Sequence, residues 1–93
     1  MQALFRKKGV IAILETLDVF KAPVLEKTFL AEFQRRWNYS AYERSRDIVA
    51  EYGLVEFTLE DNEKVMSLAA KGREFLRLWR EMQTLLGSEV SPN

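Results

Sequence analysis

The sequence predicts a mainly α fold with one small β-hairpin: a three-helix core, then a wing formed by the hairpin, then a long C-terminal helix. Three observations lead there. Apolar residues recur at helical spacing through three successive segments. The period falls from 3.6 toward 2 between Leu54 and Leu68, and a helical apolar stripe then resumes as far as Leu86.

Val10, Ile13, Leu14 and Leu17 step by i, i+3, i+4 and i+7, which predicts a first helix over Lys8 to Phe20. Pro23 suits the first turn of a second helix, where its missing N–H costs nothing. That helix is expected to reach Arg36, with Leu25, Phe29 and Phe33 on one face, and to be closed by Trp37. Ser40 and Glu43 match a capping box, so the third helix is expected from Ser40 to Tyr52. Tyr42, Ser45, Val49 and Tyr52 form its inward face, and Gly53 stands where a left-handed terminator is needed.

Leu54, Val55, Phe57 and Leu59 alternate with charged and polar residues as a strand does. Residues 60–63 make a polar turn, and Lys64 to Leu68 return as a second strand. The last helix is expected over about 69–86, with Gly72 permitting close packing near its start and Gly87 at its end; residues 88–93 read as a loose tail. Helices, hairpin and terminal helix in this order make a winged helix-turn-helix, and residues 1–87 read as one such domain.

Composition narrows the function. The chain has 93 residues, which allow one domain and leave little room for a second. With 47% hydrophobic and 30% charged residues it is too apolar for a disordered chain. Cysteine and histidine are both absent, which removes the commonest nucleophiles, bases and metal ligands; no catalytic site, metal site or cofactor is expected. Glu60, Asp61 and Glu63 imitate a calcium loop only superficially, since the ligand order is missing. The apolar run 10–14 ends at Glu15, so neither a signal peptide nor a membrane span is expected, and the cytoplasm is the expected location.

The stretch Trp37-Asn38-Tyr39-Ser40-Ala41-Tyr42, followed by Ile48 through Gly53-Leu54-Val55, resembles the recognition-helix segment of small archaeal winged-helix regulators. Residues 67–76, Ser-Leu-Ala-Ala-Lys-Gly-Arg-Glu-Phe-Leu, are similar to their second wing strand and its passage into the terminal helix. The likeness runs from Lys8 to Trp79. It implies a DNA-binding transcriptional regulator that dimerises through the last helix. Two residues depart from the pattern: Ala69 stands in place of a threonine, and the wing is acidic.

In a helix-turn-helix the outward residues of the second motif helix read base edges in the major groove. Here the recognition helix is 40–52, and Arg44 is the candidate for a guanine edge. Arg35, Arg36, Arg46 and Lys64 are candidate phosphate contacts, and Asn38 and Ser40 candidate donors to the backbone. Arg6, Lys7 and Lys8 form a second basic group that could reach a flanking phosphate. Against them stands an acidic stripe, Glu43, Asp47 and Glu51, at four-residue spacing, in a chain whose 14 basic and 14 acidic side chains cancel.

The alternative is therefore a winged-helix adaptor for protein–protein contact that does not bind DNA, with Trp37 or Tyr39 as an anchor. Phe75, Leu78, Trp79, Met82, Leu85 and Leu86 make a heptad-like stripe on the last helix, and a homodimer through this stripe is expected. Whether a small-molecule effector binds is not legible in the sequence.

Overall fold

The computed structural model describes residues 8–87. The chain runs α1 (Lys8–Phe20), β1 (Val24–Leu25), α2 (Glu26–Phe33), α3 (Tyr39–Glu51), β2 (Val55–Glu60), β3 (Glu63–Leu68) and α4 (Ala70–Gly87). The three strands form an antiparallel sheet in the order β1-β3-β2. Mainly α, with a hairpin after the third helix and a long C-terminal helix, this is the winged helix-turn-helix arrangement that the sequence predicts. Arg6 and Lys7, and the expected tail 88–93, lie outside the described residues.

The core is built where the apolar periodicities converge. Val10, Ile13, Leu14 and Leu17 of α1 meet Phe29 and Phe33 of α2, Tyr42 and Val49 of α3, and Leu54, Val55, Met66 and Leu76 from the hairpin and α4. Phe29, Phe33 and Tyr42 pack ring on ring, with centroids 5.5 to 5.9 Å apart. Tyr42 carries its polar end into this core by donating to Glu26 Oε2 at 2.5 Å.

Two glycines let backbones approach. A Cβ at Gly72 would run into the carbonyl oxygen of Leu54, the same oxygen that accepts from the Ala69 N–H at 3.0 Å. Close packing at the start of the last helix is thus what Gly72 provides. A Cβ at Gly9 would strike Ser45 Oγ, so α1 crosses α3 at a point where only glycine fits.

The elements depart from the sequence expectation in several places. Pro23 is not in a helix. Lys21 turns the chain at φ 64°, and Val24 and Leu25 then pair with Met66 and Val65 of β3. The hydrogen bonds on the second edge of β3 make this strand, a long-range cause that local periodicity does not carry. α2 consequently starts at Glu26, and it ends at Phe33, three residues before Arg36, in a series of turns.

The cap of α3 is Asn38, not Ser40. Asn38 Oδ1 accepts from the Ala41 N–H at 2.9 Å, while Ser40 Oγ donates to the same oxygen at 2.8 Å. An asparagine cap puts Ala41 at the position that a capping-box glutamate needs, which leaves Glu43 exposed on the helix surface. Tyr52 is at the C-cap and exposed rather than inward. Leu59, one of the alternating apolar residues of the first hairpin strand, is 68% exposed.

The wing turn is tighter than the four polar residues suggested. Only Asp61 and Asn62 lie between the strands, with φ of 53° and 65°, and both residue types tolerate that conformation better than others with a side chain. Gly53, at φ 71°, terminates α3 as expected.

Candidate nucleic-acid interface

Burial of Tyr42, Ser45 and Val49 fixes the rotation of α3 about its axis. Ser40, Glu43, Arg44, Asp47 and Glu51 are exposed as a consequence. The turn at residues 34–38 holds the start of α3 beside the end of α2, and Trp37 is itself stacked on Phe33 at 6.4 Å.

A cleft of about 530 Å³ opens at this corner, between the start of α1, the turn and the first half of α3. Its rim carries Lys8, Arg36 and Arg44, one cation from each of the three, together with Asn38 and Trp37. No carboxylate lines it. Among the described residues none of these three cations has a carboxylate within 4.0 Å. The partial positive charge at the N-terminal end of α3 falls on the same side.

The other residues expected to contact DNA are placed differently. Arg35 points back along α2 and pairs with Glu32 at 3.3 Å. Arg46 is 3.9 Å from Glu26 and 4.0 Å from Asp47, and its guanidinium sits 6.0 Å from the centre of the Tyr42 ring. Lys64 shares with Arg46 a separate groove between α3 and the hairpin. The Ser40 hydroxyl donates to Asn38 Oδ1 at the cap. The structure therefore brings Arg36, Arg44 and Asn38 together and sets Arg46 and Lys64 apart from them. Lys8 was only a flanking candidate in the sequence, because nothing local shows that α1 begins beside the turn; Gly9, the close-crossing residue, was the available signal.

Burial and the neighbouring Glu26 carboxylate push the Tyr42 hydroxyl well above the usual tyrosine range. Tyr42 is thus a neutral donor to Glu26, which lies 3.9 Å from Arg46 in the groove between α3 and the hairpin.

Charge is unevenly divided. Residues 39–68 hold seven carboxylates (Glu43, Asp47, Glu51, Glu56, Glu60, Asp61 and Glu63) against Arg44, Arg46 and Lys64, a net of −4. The wing itself is acidic, and Lys27 of α2 already pairs with Glu63 at 3.5 Å.

On α4, Leu76 is buried, and Phe75 and Trp79 pack against the core cluster, so these two of the expected dimer residues serve the fold first. Leu78, Leu85 and Leu86 are exposed, with Met82 partly buried. Arg77 sits between Glu74 and Glu81, both at 2.5 Å, and holds the Glu74 carboxyl below its ordinary range. No helix among the described residues is long and apolar enough to cross a membrane. No protein family, curated protein or solved structure matches the chain.

Proposed function

We propose that this chain is a winged-helix transcriptional regulator of the small archaeal type, which binds duplex DNA as a homodimer. The observation that carries the reading is the cleft at the start of α3, where Lys8, Arg36 and Arg44 converge without a carboxylate among them. Three cations from three elements suit a phosphate backbone, whose oxygens recur along a strand. Arg44, one turn into α3, is placed to reach a guanine edge when the start of the helix enters the major groove. Asp47 and Glu51 lie further along the helix, and Glu43, exposed in its first half, is outside the cleft lining, so the approach is through the cleft side of that first half.

Arg35 and Arg46, both held by carboxylates, take a smaller part in this reading than Lys8, Arg36 and Arg44. Lys64 belongs with the acidic hairpin and not with the cleft. The dimer is supported by Leu78 and Leu86, each about half exposed (49% and 48%), on a helix whose C-terminal part has little core beneath it. A two-fold pairing through this helix would present two α3 helices to one duplex.

The test is fluorescence anisotropy of the full chain against mixed genomic duplexes. Replacing Arg44 by alanine weakens binding by about 1–3 kcal/mol and flattens its salt dependence if the reading holds.

A further inference from the structure

We infer that the groove between α3 and the hairpin docks a cationic, amphipathic segment of a partner protein. The groove has a volume of about 550 Å³ and shares no residue with the cationic cleft. Ala50, Phe57 and Leu59 give it an apolar lining. Leu59 is the feature that needs a reason. It is a large aliphatic side chain, 68% exposed, on a hairpin whose other exposed positions are mostly charged or polar. A solvated wing tip has no use for it, whereas an apolar partner residue does.

Charge selects the occupant. Of the two cations at the groove, Arg46 is already engaged by Glu26 and Asp47. Lys64 alone remains, beside a helix whose exposed side carries Glu43, Asp47 and Glu51. A phosphate backbone brought to this side meets like charge and gains nothing from Leu59. A lysine- or arginine-bearing segment gains on both counts: its apolar side covers Phe57 and Leu59, while its cations face Asp47 and its exposed neighbours along α3, Glu43 and Glu51. The inference does not depend on the cleft binding DNA, because the two surfaces have no residue in common.

The probe is a synthetic leucine–lysine peptide patterned as an amphipathic helix, titrated into the isotope-labelled full chain with amide chemical shifts as the readout. The expected result is a set of shifts confined to Asp47, Ala50 and Phe57 to Leu59, and an affinity reduced about tenfold or more by Leu59→Ser, the loss that uncovering one leucine implies. Since Leu59 is exposed, this variant should keep the wild-type melting temperature. Asp47→Lys should weaken the same binding, and a leucine–glutamate peptide of equal length should shift none of these amides. The inference is overturned by unchanged affinity in Leu59→Ser, by equal binding of the acidic peptide, or by shifts centred on Leu78 and Leu86. It is also overturned if duplex DNA, added alone, shifts the groove residues, which would make this face a nucleic-acid surface.

Discussion

At the scale of single residues, Gly72 shows how a packing requirement outweighs a local preference. Glycine within a helix costs about 1 kcal/mol relative to alanine, so propensity alone predicts that Gly72→Ala stabilises. The Leu54 carbonyl occupies the space that the new Cβ would need, and it is backbone, which cannot swing aside. We predict a net loss of roughly 1–3 kcal/mol in Gly72→Ala, read as a lower urea midpoint; a raised midpoint would contradict the close approach. The sequence carried this much, because a glycine early in a strongly periodic helix asks for a reason. It did not carry Gly9, whose reason is the Ser45 side chain on another element.

Tyr42 offers a second test at the same scale. Its hydroxyl stays protonated in the folded chain to higher pH than in the unfolded one. The unfolded state therefore releases this proton first, and stability from this group is complete below about pH 10 and falls as pH rises beyond it. Urea midpoints of the wild type should decline on going into that alkaline range, and Tyr42→Phe should lack this component of the decline. Parallel profiles for the two proteins would remove the buried Tyr42–Glu26 bond from the account. At neutral pH the same variant should be less stable by roughly 1.5–3 kcal/mol, the range for a hydrogen bond to a charged acceptor.

Among the elements, α1 and the hairpin were legible because the cause of each is local. An apolar stripe at helical spacing marks α1, and alternation around a polar turn marks β2 and β3. β1 was not legible, since Val24 and Leu25 are extended only because β3 presents an edge to them. The start of α3 was half legible. A polar cap before an apolar-periodic run was evident and was read at Ser40; the structure gives that place to Asn38, two residues earlier, whose Oδ1 accepts from the Ala41 N–H. Substitution separates them. Asn38→Ala should destabilise by about 1 kcal/mol, the usual loss for a cap, and Ser40→Ala by clearly less, by thermal or urea denaturation. Equal losses, or a larger one at Ser40, would restore the capping box read from Ser40 and Glu43.

For the whole molecule, the sequence showed that positive and negative charge cancel, but not where each sign gathers. While Glu26 and Asp47 line the separate groove between α3 and the hairpin, the fold draws Lys8, Arg36 and Arg44 to one corner whose lining holds no carboxylate. Residues from the start, middle and second half of the helical core meet there, and no spacing rule connects them. Self-association also belongs to this scale. A homodimer through α4 predicts that Leu78→Glu together with Leu86→Glu yields a folded monomer in sedimentation, because both side chains are exposed in the single chain. Trp79 is a poorer site for that test, since it packs against the core and its loss would disturb the fold. A wild-type chain that sediments as a monomer at high micromolar concentration would contradict the dimer.

The reading of the cationic corner as a duplex-binding surface is tested most directly by the salt dependence of binding. Anisotropy titrations at several salt concentrations give the slope of log affinity against log salt for the wild type and for Arg36→Ala and Arg44→Ala. The account predicts a steep negative slope for the wild type, reduced by about one unit in each variant, as expected for the loss of one phosphate contact or one charged contact to the duplex. Slopes that coincide in all three proteins, or no duplex binding at low salt, would contradict it.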